Sequence, residues 1–354
     1  MSIEEAKNAL DSIIKKGRVH LYKPIQIAET LHHYRTESDI DLNDLEQYRN
    51  HSKRWRDDVS QLLVGRTSTS SARYQDDVFN ENAMPPSLLA ELGNINNSTQ
   101  GIVEAYIYSH FEERQKQLAE AISFVRDSTA NTFDLTQFLG RFRSQAGLKR
   151  SIDKVYEAVV YALFNTIVHE LEAKITLTVD ERKTELVREF EEFTRLVLGI
   201  DSTSLSFTTQ AMLYRVGVTN AADRGLDMWA NFGPAIQVKH LTLDIQLAED
   251  IVGSISADRI IIVCKDCEKQ ALTSVLKQIG WGKRIQGIIV ESELVEWYRR
   301  ALVGSYADEL GDSLLKKLLY ELEAEFPSYQ TFFNFYQGRG YDKLKLNGLW
   351  SDEC

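Results

Sequence analysis

The sequence predicts an α/β protein: a mixed-sheet core preceded by a large helical region and followed by a helical segment. Three observations predict this. Through residue 175, Gly and Pro are sparse and apolar residues recur at three- and four-residue spacing, the helical period. Beyond residue 200, short β-branched runs alternate with amphipathic stretches, the order expected of a sheet with helices packed on it. From Glu291 the chain returns to helix, stays largely helical to Tyr320 or beyond, and ends in an irregular, aromatic-rich segment with Gly338 and Gly340. The expected division is therefore a helical region 1–175, a core 176–305, and a C-terminal segment 306–354 packed on that core. A length of 354 residues suits two domains of about 150 residues or one large one.

The elements follow in order. Ile102, Ala105, Tyr106 and Phe111 open a long helix that continues through Leu118, Ile122 and Val125. Polar, serine-rich Gly65 to Asn80 reads as an exposed loop that orders against a partner, and Gly93 to Gln100 as a second loop. Ser151 to Ile175 is a second long helix, with Ile152, Val155, Tyr156, Val159 and Leu163 on its apolar side. Asp180 to Leu198 is a charged amphipathic helix that buries Leu186, Phe190, Phe193 and Val197 and stops at Gly199. Extended runs follow at Ser204 to Thr208, Met212 to Val218, Leu226 to Ala230 and Ala235 to Leu241. A helix over Asp244 to Ile255 leads into the continuous apolar strand Arg259 to Cys264, of the kind a sheet interior uses. A further helix, Glu268 to Ile279, precedes the strand Gln286 to Val290.

Composition narrows the class. Three cysteines (Cys264, Cys267, Cys354) exclude a disulfide framework and favour a reducing, cytoplasmic setting. The longest apolar run, Ala158 to Phe164, falls far short of the ~18 residues of a membrane span, so no membrane partner is expected. The acidic N-terminus lacks a signal core. A net charge of −11 argues against a protein that coats nucleic acid indiscriminately. It leaves room for positive charge gathered in a cleft. Basic residues do cluster, at Lys15 to Arg18, at Lys53 to Arg56, and in Arg141, Arg143, Lys149, Arg150 and Lys154. Each cluster also reads as a solvated helix face.

The stretch Asp223 to Lys239 carries the chemistry. Asn231 to Pro234 are turn formers between two β-like runs. A hairpin centred on Phe232 sets Asp227 opposite Gln237, with Lys239 on the same face as Gln237 and Trp229 on the same face as Asp227. Opposed pairs lie ~5 Å apart and diagonal neighbours ~7–8 Å, so a carboxylate, an amide and an ammonium surround one small volume. This set suits phosphodiester hydrolysis with Mg²⁺, which needs few carboxylates and takes oxygen ligands. A solvent-facing strand that happens to carry these residues is the plain alternative.

Gly225-Leu-Asp227 followed by Gln237-Val-Lys239 and His240 resembles the catalytic signature of the PD-(D/E)xK nuclease superfamily, in the variant with glutamine for the second acid. The order of elements around the hairpin resembles that fold as well. Through Val19 to Glu29 and Ser151 to Phe164, and in its overall run, the chain resembles the HaeII type of type II restriction endonucleases. The resemblance implies Asp227 as principal metal ligand, Gln237 and the Val238 carbonyl as further ligands, and Lys239 beside the attacking water. Gln237 supplies no charge, so another acid is expected: Asp223, Glu189, Glu191 or Glu192, with Glu192 favoured as facing inward. It further implies a homodimer acting on duplex DNA at a short palindromic target such as RGCGCY (R purine, Y pyrimidine), leaving 5′-phosphate and 3′-hydroxyl ends. Arg141, Arg143, Lys149 and Arg150 are the candidate DNA contacts. Other readings stay open: a modification-dependent or repair nuclease of the same fold, or a non-catalytic DNA-binding or assembly protein that retains it. The Cys264/Cys267 C-x-x-C pair lacks a second pair and reads as packing. Without a G-x-x-x-x-G-K-[ST] loop, no nucleotide cofactor is expected.

Overall fold

The first helix forms because its apolar positions share one side and its N-terminus is capped. In Ile3–Lys16, Ser2 Oγ accepts from Glu5 N at 3.3 Å while Glu5 Oε2 accepts from Ser2 N at 2.9 Å, a reciprocal capping box. This helix buries Ala6, Leu10, Ile13 and Ile14. The long helix is Ile102–Arg126, entered through Gly101 at φ 110°, a conformation that favours glycine. The computed structural model describes residues 2–65, 67, 78–216, 226–278, 280, 284–326 and 331–351. These fold as two compact units, one of residues 2–156 and 318–351, the other of 157–216 and 226–317. No helix among the described residues is long and apolar enough to cross a membrane.

The first unit is helical, and its core includes Leu10, Ile27, Leu31, Tyr48, Leu89, Tyr108 and Phe111. Phe332, Tyr341 and Trp350 belong to that same core. The expectation that the C-terminal segment packs on the catalytic core is thus corrected for residues 318–351. The aromatic rings that made this end look irregular are the groups that fill the helical core. The expected loop at Gly93 to Gln100 is corrected as well, because the helix Pro86–Ser98 runs through most of it. Gly93 serves there as a point of close approach: a Cβ would lie 2.2 Å from Leu42 Cδ1. Most of the serine-rich Gly65 to Asn80 stretch lies outside the described residues.

The second unit carries the strands: β1 Lys174–Thr178, β2 Ser206–Gln210, β3 Leu213–Arg215, β4 Met228–Ala230, β5 Ala235–Thr242, β6 Ile260–Asp266 and β7 Ile285–Val290. β1 and β2 form a separate antiparallel pair. The other five make a mixed sheet in sequential order, antiparallel from β3 to β5 and parallel from β5 to β7. β6 is buried at Ile260, Ile262, Val263 and Cys264, as its continuous apolar run predicts. Ala235, Ile260, Ile262 and Cys264 share a core with Ile251 and Val252 of helix Ile245–Ser254 and Leu272 and Leu276 of helix Lys269–Gln278. Tyr298 of helix Glu291–Val303 donates from its hydroxyl to the Val159 carbonyl at 2.8 Å, tying this helix to Ile152–Glu170. The chain is largely helical beyond Glu291, as expected, in two helices, Glu291–Val303 and Ala307–Glu325, that part at Gly304, where a Cβ would meet the Arg300 carbonyl at 2.3 Å.

Two corrections bear on function. The second long helix ends at Glu170 rather than Ile175, and Ile175 lies in β1. The segment expected as one helix over Asp180 to Leu198 is broken into Thr184–Glu189, Glu191–Phe193 and a π-helical turn Thr194–Leu198. Gly199 stops it as expected, at φ 69°. Its apolar stripe is not buried: Leu186, Phe190, Phe193 and Val197 are all more than half exposed, and Val187 and Thr194 are the buried positions. The break at Phe190 (φ −111°, ψ 34°) and the wider π turn interrupt the α-helix, and no other element covers the stripe.

Candidate active site

The hairpin geometry follows from its turn. Gly233 N donates to the Ala230 carbonyl and Ala230 N to the Pro234 carbonyl, both at 2.9 Å. Gly233 takes φ 117°, a conformation that favours glycine. The register pairs Met228 with Ile236 and Trp229 with Ala235. One step further lies Asp227 against Gln237. Met228 and Ala230 are buried while Trp229 is exposed and stacks on Tyr214 with ring centroids 4.5 Å apart.

Asp227 is fixed from the opposite strand by two donors on one oxygen. Gln237 Nε2 donates to Asp227 Oδ2 at 2.5 Å, and Val238 N donates to the same atom at 2.7 Å. A carboxylate only accepts, so the Gln237 NH₂ must face it and the amide oxygen must point elsewhere. That oxygen, Gln237 Oε1, is buried and has no hydrogen-bond partner. A buried acceptor left in this state costs about 1–3 kcal/mol, which a ligand offering positive charge removes. Lys239 is half-buried two residues along β5, on the face Gln237 uses, and pairs in register with Cys264 of β6.

The donor set fits a hard divalent cation: one anchored carboxylate, one unpartnered amide oxygen and the adjoining Val238 carbonyl, all oxygen. Among the described residues no three His, Cys, Asp or Glu side chains gather as a metal cluster, so the set is low in charge. The structure does not supply the missing acid from the expected helix. Glu192 and Glu189 are exposed, and Glu191 bonds Arg195 at 2.7 Å and Ser202 at 3.4 Å. The inward orientation expected of Glu192 is therefore corrected, because the stripe beside which it lies is itself exposed. Asp223 lies outside the described residues.

Glu157 was not among the residues expected near the site. It is 7% exposed on helix Ile152–Glu170 and faces Arg215 of β3 at 3.3 Å. An acid inside the apolar run from Val155 to Val160 was the signal. Arg215 pairs with Met228, so it shares the face opposite that of Asp227, and the ion pair supports the sheet from behind. Cys264 behaves as a packing residue, its thiol pushed by burial up to about 12. Among the candidate DNA contacts, Lys149 and Arg150 are exposed on the short turn Lys149–Ser151. Arg141 and Arg143 are half-buried in the last turn of helix Leu135–Ser144, and the Arg141 guanidinium lies over the Phe124 ring, 4.5 Å from its centroid.

The family model described as HaeII restriction endonuclease matches residues 6–341. The chain belongs to that family. It is 51% identical to type II restriction enzyme HaeII of Haemophilus aegyptius over 343 residues, covering 96% of this chain and 97% of that one. It is 50% identical to type II restriction enzyme NgoBI of Neisseria gonorrhoeae over 347 residues, covering 97% and 98%. No solved structure matches this HaeII family member.

Proposed function

We propose that this chain is a type II restriction endonuclease. It hydrolyses phosphodiester bonds at a short palindromic site in duplex DNA, with Mg²⁺ as cofactor, and leaves 5′-phosphate and 3′-hydroxyl ends. Membership of the HaeII family supports the activity. The observation that carries the site is the doubly anchored Asp227 carboxylate beside the buried, unpartnered Gln237 Oε1. The mixed sheet with this hairpin at its centre supports a PD-(D/E)xK-like core. The target RGCGCY is part of the proposal.

Asp227, Gln237 Oε1 and the Val238 carbonyl would hold the cation, which when bound would polarise the scissile phosphate and lower the pKa of water. Asp227 supplies the anchoring charge, and the two donors from β5 fix its orientation before DNA arrives. Lys239 orients the attacking water and offsets charge developing on the phosphate. The first unit recognises DNA through Lys149, Arg150, Arg141 and Arg143. The enzyme acts as a homodimer, since a two-fold protein matches a palindromic site.

Plasmid DNA incubated with the protein and Mg²⁺ tests this reading. Discrete fragments whose sequenced ends share one short palindrome are expected. Structure-dependent nicks would favour a repair nuclease, and intact plasmid a non-catalytic binder. A second test concerns recognition. Affinity for the cognate site should exceed non-specific affinity by ~10³-fold or more. Lys149→Ala with Arg150→Ala should weaken binding and reduce the slope of log affinity against log salt by ~2. Unchanged affinity and slope would remove this turn from the DNA interface.

A further inference from the structure

We infer that the outward apolar face built by β1, β2 and the broken helix between them is where a second copy of this chain docks. This rests on the restriction-endonuclease reading, which asks for a two-fold dimer but says nothing of the surface used. Of the 18 exposed large apolar side chains among the described residues, seven fall between Leu177 and Phe207. Monomeric surfaces scatter such residues singly, and concentration marks an interaction site.

The face is continuous. Leu177 and Phe207 are paired in register across β1 and β2, so their side chains stand on the same side of the pair. The Phe207 ring lies against Gly199, where a Cβ would sit 3.4 Å from the ring, and Gly199 directly follows the turn that exposes Leu196 and Val197. Phe190 and Phe193 extend the face along the helix. At about 200 Å² for a whole large apolar residue, these six leave on the order of 700 Å² uncovered. A standard interface buries ~800 Å² per partner, so this patch with a polar rim is enough for a stable dimer.

Charge selects the partner. Asp180 to Leu198 contains more acids than bases, and Arg182, Arg188 and Arg195 already pair with Asp180, Glu185 and Glu191. With six acids to four bases and three of those four cations already paired, the face is a poor match for phosphate, and its small excess of exposed charge is screened between copies. β1 and β2 form a two-stranded sheet with nearly every residue at least partly exposed, an arrangement that is marginal in water until something covers it. A patch that meets itself across a two-fold axis does so with one self-complementary surface.

Analytical ultracentrifugation of the full chain without DNA tests the inference, comparing wild type with the double variant Phe193→Glu, Leu196→Glu. Both positions are more than half exposed, so the fold should survive, as circular dichroism would verify. Wild type is expected to sediment as a dimer at micromolar concentration, and the variant as a monomer with dimerisation weakened at least ~100-fold. A folded variant that remains dimeric overturns the inference, and so does a wild type that cleaves while monomeric. A variant that stays dimeric but loses DNA affinity would assign the face to DNA instead. Cleavage by wild type is read separately, so failure here leaves the nuclease reading to its own test.

Discussion

Exchanging Glu104 for Ala is expected to destabilise the first unit by ~3–5 kcal/mol, the cost of breaking a buried charge network by removing one partner. Glu104 is fully buried and accepts from Arg35 at 2.8 and 3.0 Å, Asn96 at 2.6 Å and Tyr341 at 2.5 Å, with His32 Nδ1 at 2.9 Å. Burial alone would raise its pKa. The bonds from Arg35, His32, Tyr341 and Asn96 outweigh it and hold the carboxyl at about 2, below its ordinary 4.5. A depressed folded-state pKa stabilises the protein above the unfolded value, and that stabilisation is lost as pH falls from 4.5 through about 2. The shift corresponds to roughly 3 kcal/mol. Urea unfolding of wild type and Glu104→Gln between pH 6 and about pH 2 checks this. Wild type should lose stability steeply across that window and Glu104→Gln less so. Parallel curves would show that Glu104 is not the group responsible.

That network was not legible in the sequence. Its members are separated by 69, 72 and 237 positions, and no local period links Arg35, His32 or Tyr341 to Glu104. The candidate hairpin was legible because its turn formers are: a turn centred on Phe232 sets Asp227 opposite Gln237, the register that the pairs Met228 with Ile236 and Trp229 with Ala235 continue. The mixed sheet was legible in its apolar runs, β6 above all. The stripe over Leu186, Phe190, Phe193 and Val197 was read as one stripe and is one. Periodicity records that side chains share a face and is silent on whether the chain itself covers that face. Glu192 was misplaced with it. Gly93 misled for a different reason, since a glycine that permits close helix contact and one that ends a helix look alike in sequence.

The second large effect lies at the hairpin. Asp227→Ala removes the only carboxylate in the stretch from Asp227 to Lys239. Lys239→Ala removes the ammonium on the same face. Each is expected to lower cleavage at least ~10³-fold, several kcal/mol of transition-state stabilisation, while DNA binding persists. Gln237→Ala deletes the proposed neutral ligand and one of two donors to Asp227, so its loss should be smaller. Gln237→Glu restores the second acid but replaces the donor at 2.5 Å with a like charge. It should retain partial cleavage with an altered metal preference.

Single-turnover cleavage of a defined DNA target across a Mg²⁺ titration tests the central claim most directly, with wild type and Asp227→Ala compared and folding verified by circular dichroism. Folded Asp227→Ala that binds the target and leaves it intact at every Mg²⁺ concentration is the predicted result. Wild-type cleavage rates from the folded variant would contradict the account and place the active site elsewhere in the chain.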